Sequence, residues 1–129
     1  MRFCIELILE NNVIEKDKNR LFISLLKKAF FDFDKSFFQD IYESNKTLRK
    51  DFTFAAYLGK CKFNRDNITL ENKKILLNIS TYNKIEGIMI YNSFLKLKKD
   101  QTHCAFGREN RLTVVAIRNL KDQSVRSNA

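Results

Sequence analysis

Histidine occurs once in these 129 residues, glycine three times and proline not at all. Each shortage removes a class of chemistry. The glycines, Gly59, Gly87 and Gly107, are scattered, so a phosphate-cradling loop of the P-loop or dinucleotide type is excluded, and nucleotide hydrolysis with it. His103 lies in a polar stretch beside Cys104, with no carboxylate at a ligand spacing. A metal site or a nucleophile–base pair is therefore not indicated, no metal or cofactor is expected, and a surface histidine is the plain interpretation. The cysteines, Cys4, Cys61 and Cys104, are odd in number and far apart, which argues against a disulfide framework or a zinc site and for a reducing cytoplasm. No apolar run approaches the length of a membrane span, and the N-terminus lacks a charged-then-apolar signal pattern, so a cytoplasmic protein with no membrane partner is expected. The missing proline, where average usage gives roughly six, has no physical account.

What is present is ordinary for one globular domain. Hydrophobic residues make up 44% and charged residues 30%, too apolar for intrinsic disorder. The net charge of +9 is unevenly placed. Residues 1–43 carry seven Lys/Arg against eight Asp/Glu, whereas residues 44–129 carry seventeen against seven. Such asymmetry favours a polyanionic partner, because neutralising phosphates releases condensed counterions, and nucleic acid leads the candidates.

Periodicity outlines the elements. Met1–Glu10 places Phe3, Ile5, Leu7 and Leu9 on one face of a strand. Asn19–Phe31 has Leu21, Phe22, Leu25, Leu26, Ala29 and Phe30 at helical spacing, with Asp17 available as a cap. Its other face aligns Arg20, Ser24, Lys27 and Lys28 as a basic stripe suited to lining a groove, or simply to solvation. Ser36 and Gln39 have the capping-box spacing for a short helix through Ser44. Phe52–Tyr57 alternates as a strand, Gly59 marks a turn, and Lys60–Asp66 reads as a loop or hairpin. Asn67–Glu71 and Lys74–Ser80 read as strands, the second burying Ile75, Leu77 and Ile79. Thr81 is placed to cap a helix over Tyr82–Lys98, with Ile85, Ile88, Met89 and Leu95 as its inner face. Leu112–Leu120 closes the domain, Val115 and Ile117 alternating against Val114, Ala116 and Arg118. The order is βαββαβ, an α+β domain over residues 1–122 with both helices on one face of an antiparallel sheet and the first and third main strands central, followed by a tail at 123–129.

The stretch Ser36–Lys60 joins an aromatic helix to a strand through a cationic connection carrying Lys46, Arg49 and Lys50. Such a junction suits a phosphate ester, with aromatics available for base stacking. Side chains of Tyr, Lys and Arg can perform metal-independent work on a phosphodiester, by taking a proton from a ribose 2′-hydroxyl and stabilising the oxyanion.

MRFCIELI, the helix LFISLLKKAF, the short helix FFQDIYES, KDFTFAAYLG, the strand ILLNIS and the closing LTVVAIRNLKD together resemble the N-terminal half of the CRISPR-associated endoribonucleases that cut repeat RNA, the sixth Cas family of the RAMP superfamily. The resemblance runs from Met1 to about Arg126. It implies a single ferredoxin-like, RAMP/RRM-like domain from a family of two such domains, which binds CRISPR repeat RNA and makes guide RNA by 2′-hydroxyl attack without metal. On that footing Tyr42, Lys46 and Lys27 are the candidate base, oxyanion stabiliser and phosphate clamp, and Arg20, Lys28, Arg49, Lys50, Lys60 and Lys62 are candidate RNA-binding cations. Two departures qualify it. Tyr42 stands where the family usually has its catalytic histidine, and the family's second domain with its glycine-rich loop is missing, the chain stopping where the linker is expected to begin. The alternative is a half-length, inactive mimic that binds RNA or CRISPR effector-complex subunits and inhibits CRISPR interference. A homodimer is a further assembly the sequence admits.

Overall fold

Alternating apolar residues at the N-terminus form β1 (Arg2–Leu9), and Phe3, Ile5, Leu7 and Leu9 are all buried on its inner face. The computed structural model describes residues 1–39 and 52–120, the side chains of Phe37 and Phe38 excepted. After a short β2 (Val13–Glu15), α1 (Lys18–Phe33) buries the six apolar residues its periodicity singled out. A four-residue helix, α2 (Lys35–Phe38), follows, and the Asp34 carboxylate accepts from Ser36 N at its start (2.9 Å). The rest of the expected short helix, the expected domain end at 122 and the tail lie outside the described residues.

Beyond the undescribed segment come β3 (Phe52–Tyr57), the hairpin β4 (Cys61–Phe63) and β5 (Asn67–Leu70), β6 (Lys74–Thr81), α3 (Lys84–Lys99), β7 (Cys104–Ala105) and β8 (Arg111–Leu120). Five strands form one antiparallel sheet in the order β3-β6-β1-β8-β7, so β1 and β6, the first and third main strands, are central. Their inner faces are in register, Phe3 opposite Ile79, Ile5 opposite Leu77 and Leu7 opposite Ile75. Central position follows from apolar content, since a strand flanked on both sides satisfies all its backbone groups while its side chains reach both helices. The helices α1 and α3 pack on each other over this face, and the buried side chains of sheet and helices form one core. Each fully enclosed Phe, Ile or Leu there adds about 1.5–3 kcal/mol. Edge-on aromatic pairs, Phe30 with Phe52 (5.9 Å) and Phe22 with Phe106 (5.0 Å), close its two ends. The architecture is the expected α+β, ferredoxin-like arrangement.

The small sheet β2-β5-β4 is an addition to it. Asn67–Leu70 and Lys74–Thr81 are both strands, yet they belong to different sheets, and the Asn72 side chain turns the chain between them by accepting from Lys74 N (3.0 Å). Four local expectations need correction. Asp17 occupies the N-cap of α1 without a capping hydrogen bond, because its carboxylate instead accepts from Arg20 Nε (3.3 Å). The second long helix is capped by Asn83, whose side chain accepts from Glu86 N (3.0 Å), while Thr81 Oγ1 accepts from Asn83 N (3.2 Å) and remains at the end of β6. The inner face of α3 is Ile90, Ser93, Phe94 and Leu97, with Ile85 and Ile88 exposed, a rotation of the helix away from the expected phase. Finally, Val115 is exposed and Val114 buried, because a bulge opposite Glu6–Leu7 inserts one residue into β8 and resets the alternation before Ile117.

Candidate functional site

Where β2 leads into α1, the carboxylate of Glu15 ties together segments almost a hundred residues apart. Its Oε1 pairs with Arg20 Nη2 (3.0 Å) and its Oε2 accepts from the backbone N of Arg108 (2.8 Å). Gly107, at φ +85°, lets the loop pass this carboxylate, and a Cβ there would collide with it. Asn110, 6% exposed, fixes the other end of the loop. Its Oδ1 accepts from Asn11 N (3.0 Å) and Arg111 N (2.9 Å), and its Nδ2 donates to the carbonyls of Asn11 and Val13 (both 2.9 Å). All its hydrogen-bonding capacity is used.

Between this loop, α1 and the start of β5 lies a groove of about 800 Å³ whose walls include Arg20, Ser24, Asp66, Asn67, Phe106 and Arg108. Two members of the basic stripe on α1, Arg20 and Ser24, thus line a groove, and Lys27 and Lys28 lie further along the helix. The electrostatics are mixed. Arg20 is held by Glu15 and Asp17, so an incoming phosphate must compete with two carboxylates for it, whereas Arg108 contributes a side chain with no ion-pair partner among the described residues. Phe106 offers an apolar floor.

The other candidate residues are dispersed. Lys28 pairs with Asp32 (2.9 Å), and that hydrogen bond raises its pKa above the ordinary 10.5. Nearby, burial pushes the Cys104 thiol up, the Lys28 ammonium opposing it, so Cys104 is a neutral core group. Lys27 is an exposed residue of α1. Lys60 and Lys62 lie at β4, the edge of the small sheet opposite β2, where they line a separate shallow hollow. Tyr42, Lys46, Arg49 and Lys50 lie outside the described residues. Among the described residues no three His, Cys, Asp or Glu side chains gather as a metal ion requires, and no helix is long and apolar enough to cross a membrane. His103 sits in the loop after α3 with Nδ1 3.2 Å from Thr113 Oγ1. Sequence periodicity missed Glu15, Arg108 and Asn110, whose roles depend on partners 93–99 positions away; the polar run with Gly107 marked a connection there but not its partners.

No family model and no curated protein matches the sequence. Solved structures do match the fold. A Cas6-related protein from Pyrococcus furiosus superposes with a TM-score of 0.75 at 20% identity, over 95% of this chain and 49% of that one. A CRISPR-associated protein Cas6 gives 0.66 at 18% identity over 95% and 49%. A RAMP protein described as binding different RNA substrates gives 0.73 at 18% over 94% and 48%. The chain has the fold of half a Cas6 protein. It spans about half the length of these structures, which fits the resemblance to a Cas6-like N-terminal domain. At such identities the likeness carries the fold and the topology.

Proposed function

We propose that the chain is a CRISPR-associated RNA-binding protein that recognises CRISPR repeat RNA. The observation that carries this is the Cas6/RAMP fold over 90–95% of the chain, one of whose bearers is described as binding different RNA substrates. The excess of seventeen Lys/Arg over seven Asp/Glu in residues 44–129 supports it independently, since phosphate neutralisation supplies most sequence-independent affinity.

In its finer form the proposal is an endoribonuclease. Tyr42 takes the proton of a ribose 2′-hydroxyl, the freed oxygen attacks the adjacent phosphorus, Lys46 stabilises the charge on the non-bridging oxygens, Lys27 holds the phosphate, and the P–O5′ bond breaks as the 5′ oxygen takes a proton from water. The products are a 2′,3′-cyclic phosphate and a 5′-hydroxyl. A phenol ordinarily titrates near pH ~10, so such a base works only with its pKa lowered by neighbouring ammonium groups. Incubation with repeat RNA in EDTA tests both levels together. Binding with a cyclic-phosphate product supports the enzyme, and Tyr42→Phe then abolishes the product while sparing binding. Intact RNA at saturating protein removes cleavage, and no binding at low salt removes the whole proposal.

One observation favours a second interpretation, namely that no histidine occurs in the first hundred residues. A protein of this fold without catalysis would occupy a processing enzyme's place, holding RNA or CRISPR effector-complex subunits and lowering interference. Expression beside an active CRISPR system would then reduce interference, and undiminished interference would count against it.

A further inference from the structure

The residues expected to form the inner face of α3 are on its outside, and they make a pattern there. Ile85, Ile88, Asn92 and Leu95 follow one another at alternating three- and four-residue steps, the spacing of a seam that packs on another helix. They point directly away from Ile90, Phe94 and Leu97, which face the core. Ile85 is 77% exposed and Ile88 51%, Leu95 is half-buried, and Tyr82, just ahead of the helix, is 99% exposed. A single exposed isoleucine needs no explanation, but a stripe at seam spacing on a helix whose other face already has its partner does.

The flanks of the seam carry one sign of charge. Lys84, Lys98 and Lys99 make no ion pair among the described residues, Lys96 is held by Asp100 (2.7 Å), and the helix's one acidic residue, Glu86, lies round towards the core side in the first turn. A second copy of this face would bring lysines against lysines. Charge complementarity instead calls for an apolar seam with carboxylates along both edges.

We propose that the outer face of α3 docks an amphipathic helix of another protein, with apolar residues at its seam positions and Asp or Glu beside them. Asn92, at the middle of the stripe, sets the register by requiring a polar group opposite. No residue of α3 lines the groove at Glu15, so the two surfaces are separate.

A labelled three-heptad peptide with leucine at the seam and glutamate on both flanks, and a twin with lysine flanks, can be titrated against the full chain by fluorescence anisotropy. The glutamate peptide binds and the lysine twin does not. Ile85→Asp with Ile88→Asp weakens binding by tenfold or more, as does Lys98→Glu with Lys99→Glu, whereas the same charge change at the distant Arg65→Glu leaves it within twofold. These positions are exposed, so unchanged thermal melting separates lost docking from lost folding. Equal affinity in the isoleucine variant, or equal binding of the lysine twin, overturns the proposal. So does failure of the peptide while the isoleucine substitutions abolish either self-association in sedimentation or binding to phosphatidylserine vesicles.

Discussion

The Asn110 side chain makes four hydrogen bonds from a nearly buried position, and each joins the loop before β8 to the turn after β1, to the start of β2 or to its own strand. Truncating it leaves part-buried backbone groups of Asn11 and Val13 without these partners, so Asn110→Ala is expected to cost about 1–3 kcal/mol. Exposed Asn119→Ala should stay within about 0.5 kcal/mol. Urea titrations of the two variants, read at the midpoint with constant slope, check this. Cys104 acts through pH. Burial raises its thiol above the ordinary 9.0, so the folded state holds a proton that the unfolded chain releases, and the resulting stability is whole below pH 9.0 and is lost as pH climbs through the folded value. The Lys28–Asp32 bond acts in the same direction further up, above 10.5. Midpoints measured from pH 7 to 10.5 should therefore fall first above 9 in the wild type. In Cys104→Ala, less stable throughout, that first descent should be missing; an unchanged descent would locate its cause elsewhere.

At the scale of elements, sequence patterning was most legible where one face alone decides the packing. The strands β1 and β6 and the helix α1 each bury the apolar set their period picks out, because a single slip would expose all of it. Patterning failed where two apolar faces compete. α3 carries Ile85, Ile88 and Leu95 on one side and Ile90, Phe94 and Leu97 on the other, and periodicity alone does not say which meets the sheet; the single phenylalanine, with the larger area to bury, wins. In β8 the bulge at Val115 breaks the two-residue period, and no local signal marks it. The observed phase of α3 predicts that Ile90→Ala costs about 2–4 kcal/mol whereas Ile88→Ala stays within about 0.5 kcal/mol. Comparable losses in the two variants, by denaturant midpoint, would return the helix to the other phase.

The whole molecule combines a positive charge with a described surface on which several cations are already taken. Arg20, Lys28, Lys74, Lys96, Arg111 and Arg118 all have carboxylate partners within 4 Å, so the sequence total of +9 overstates what is available at any one place, and this is why composition pointed to a polyanion without locating its site. The stripe on α1 illustrates the gap: the spacing of Arg20 and Ser24 was readable, but the pairing of Arg20 with Glu15, five residues earlier, depends on how β2 turns into α1, which helical spacing does not report. A cation held by two carboxylates gives a phosphate less than a free one, because breaking the existing pairs offsets the new contact. The salt dependence of RNA binding should reflect this. For single-stranded repeat RNA, Lys46→Ala and Arg49→Ala are each expected to weaken binding to all sequences alike and to reduce the slope of log K against log salt by roughly 0.7. Arg20→Ala should change the slope by much less, since removing it also frees Glu15 and Asp17 near the ligand without releasing a phosphate-bound cation. Filter binding at four salt concentrations distinguishes the cases. A full-sized change for Arg20 with none for Lys46 and Arg49 would move the RNA from the 40–51 connection into the groove beside Glu15.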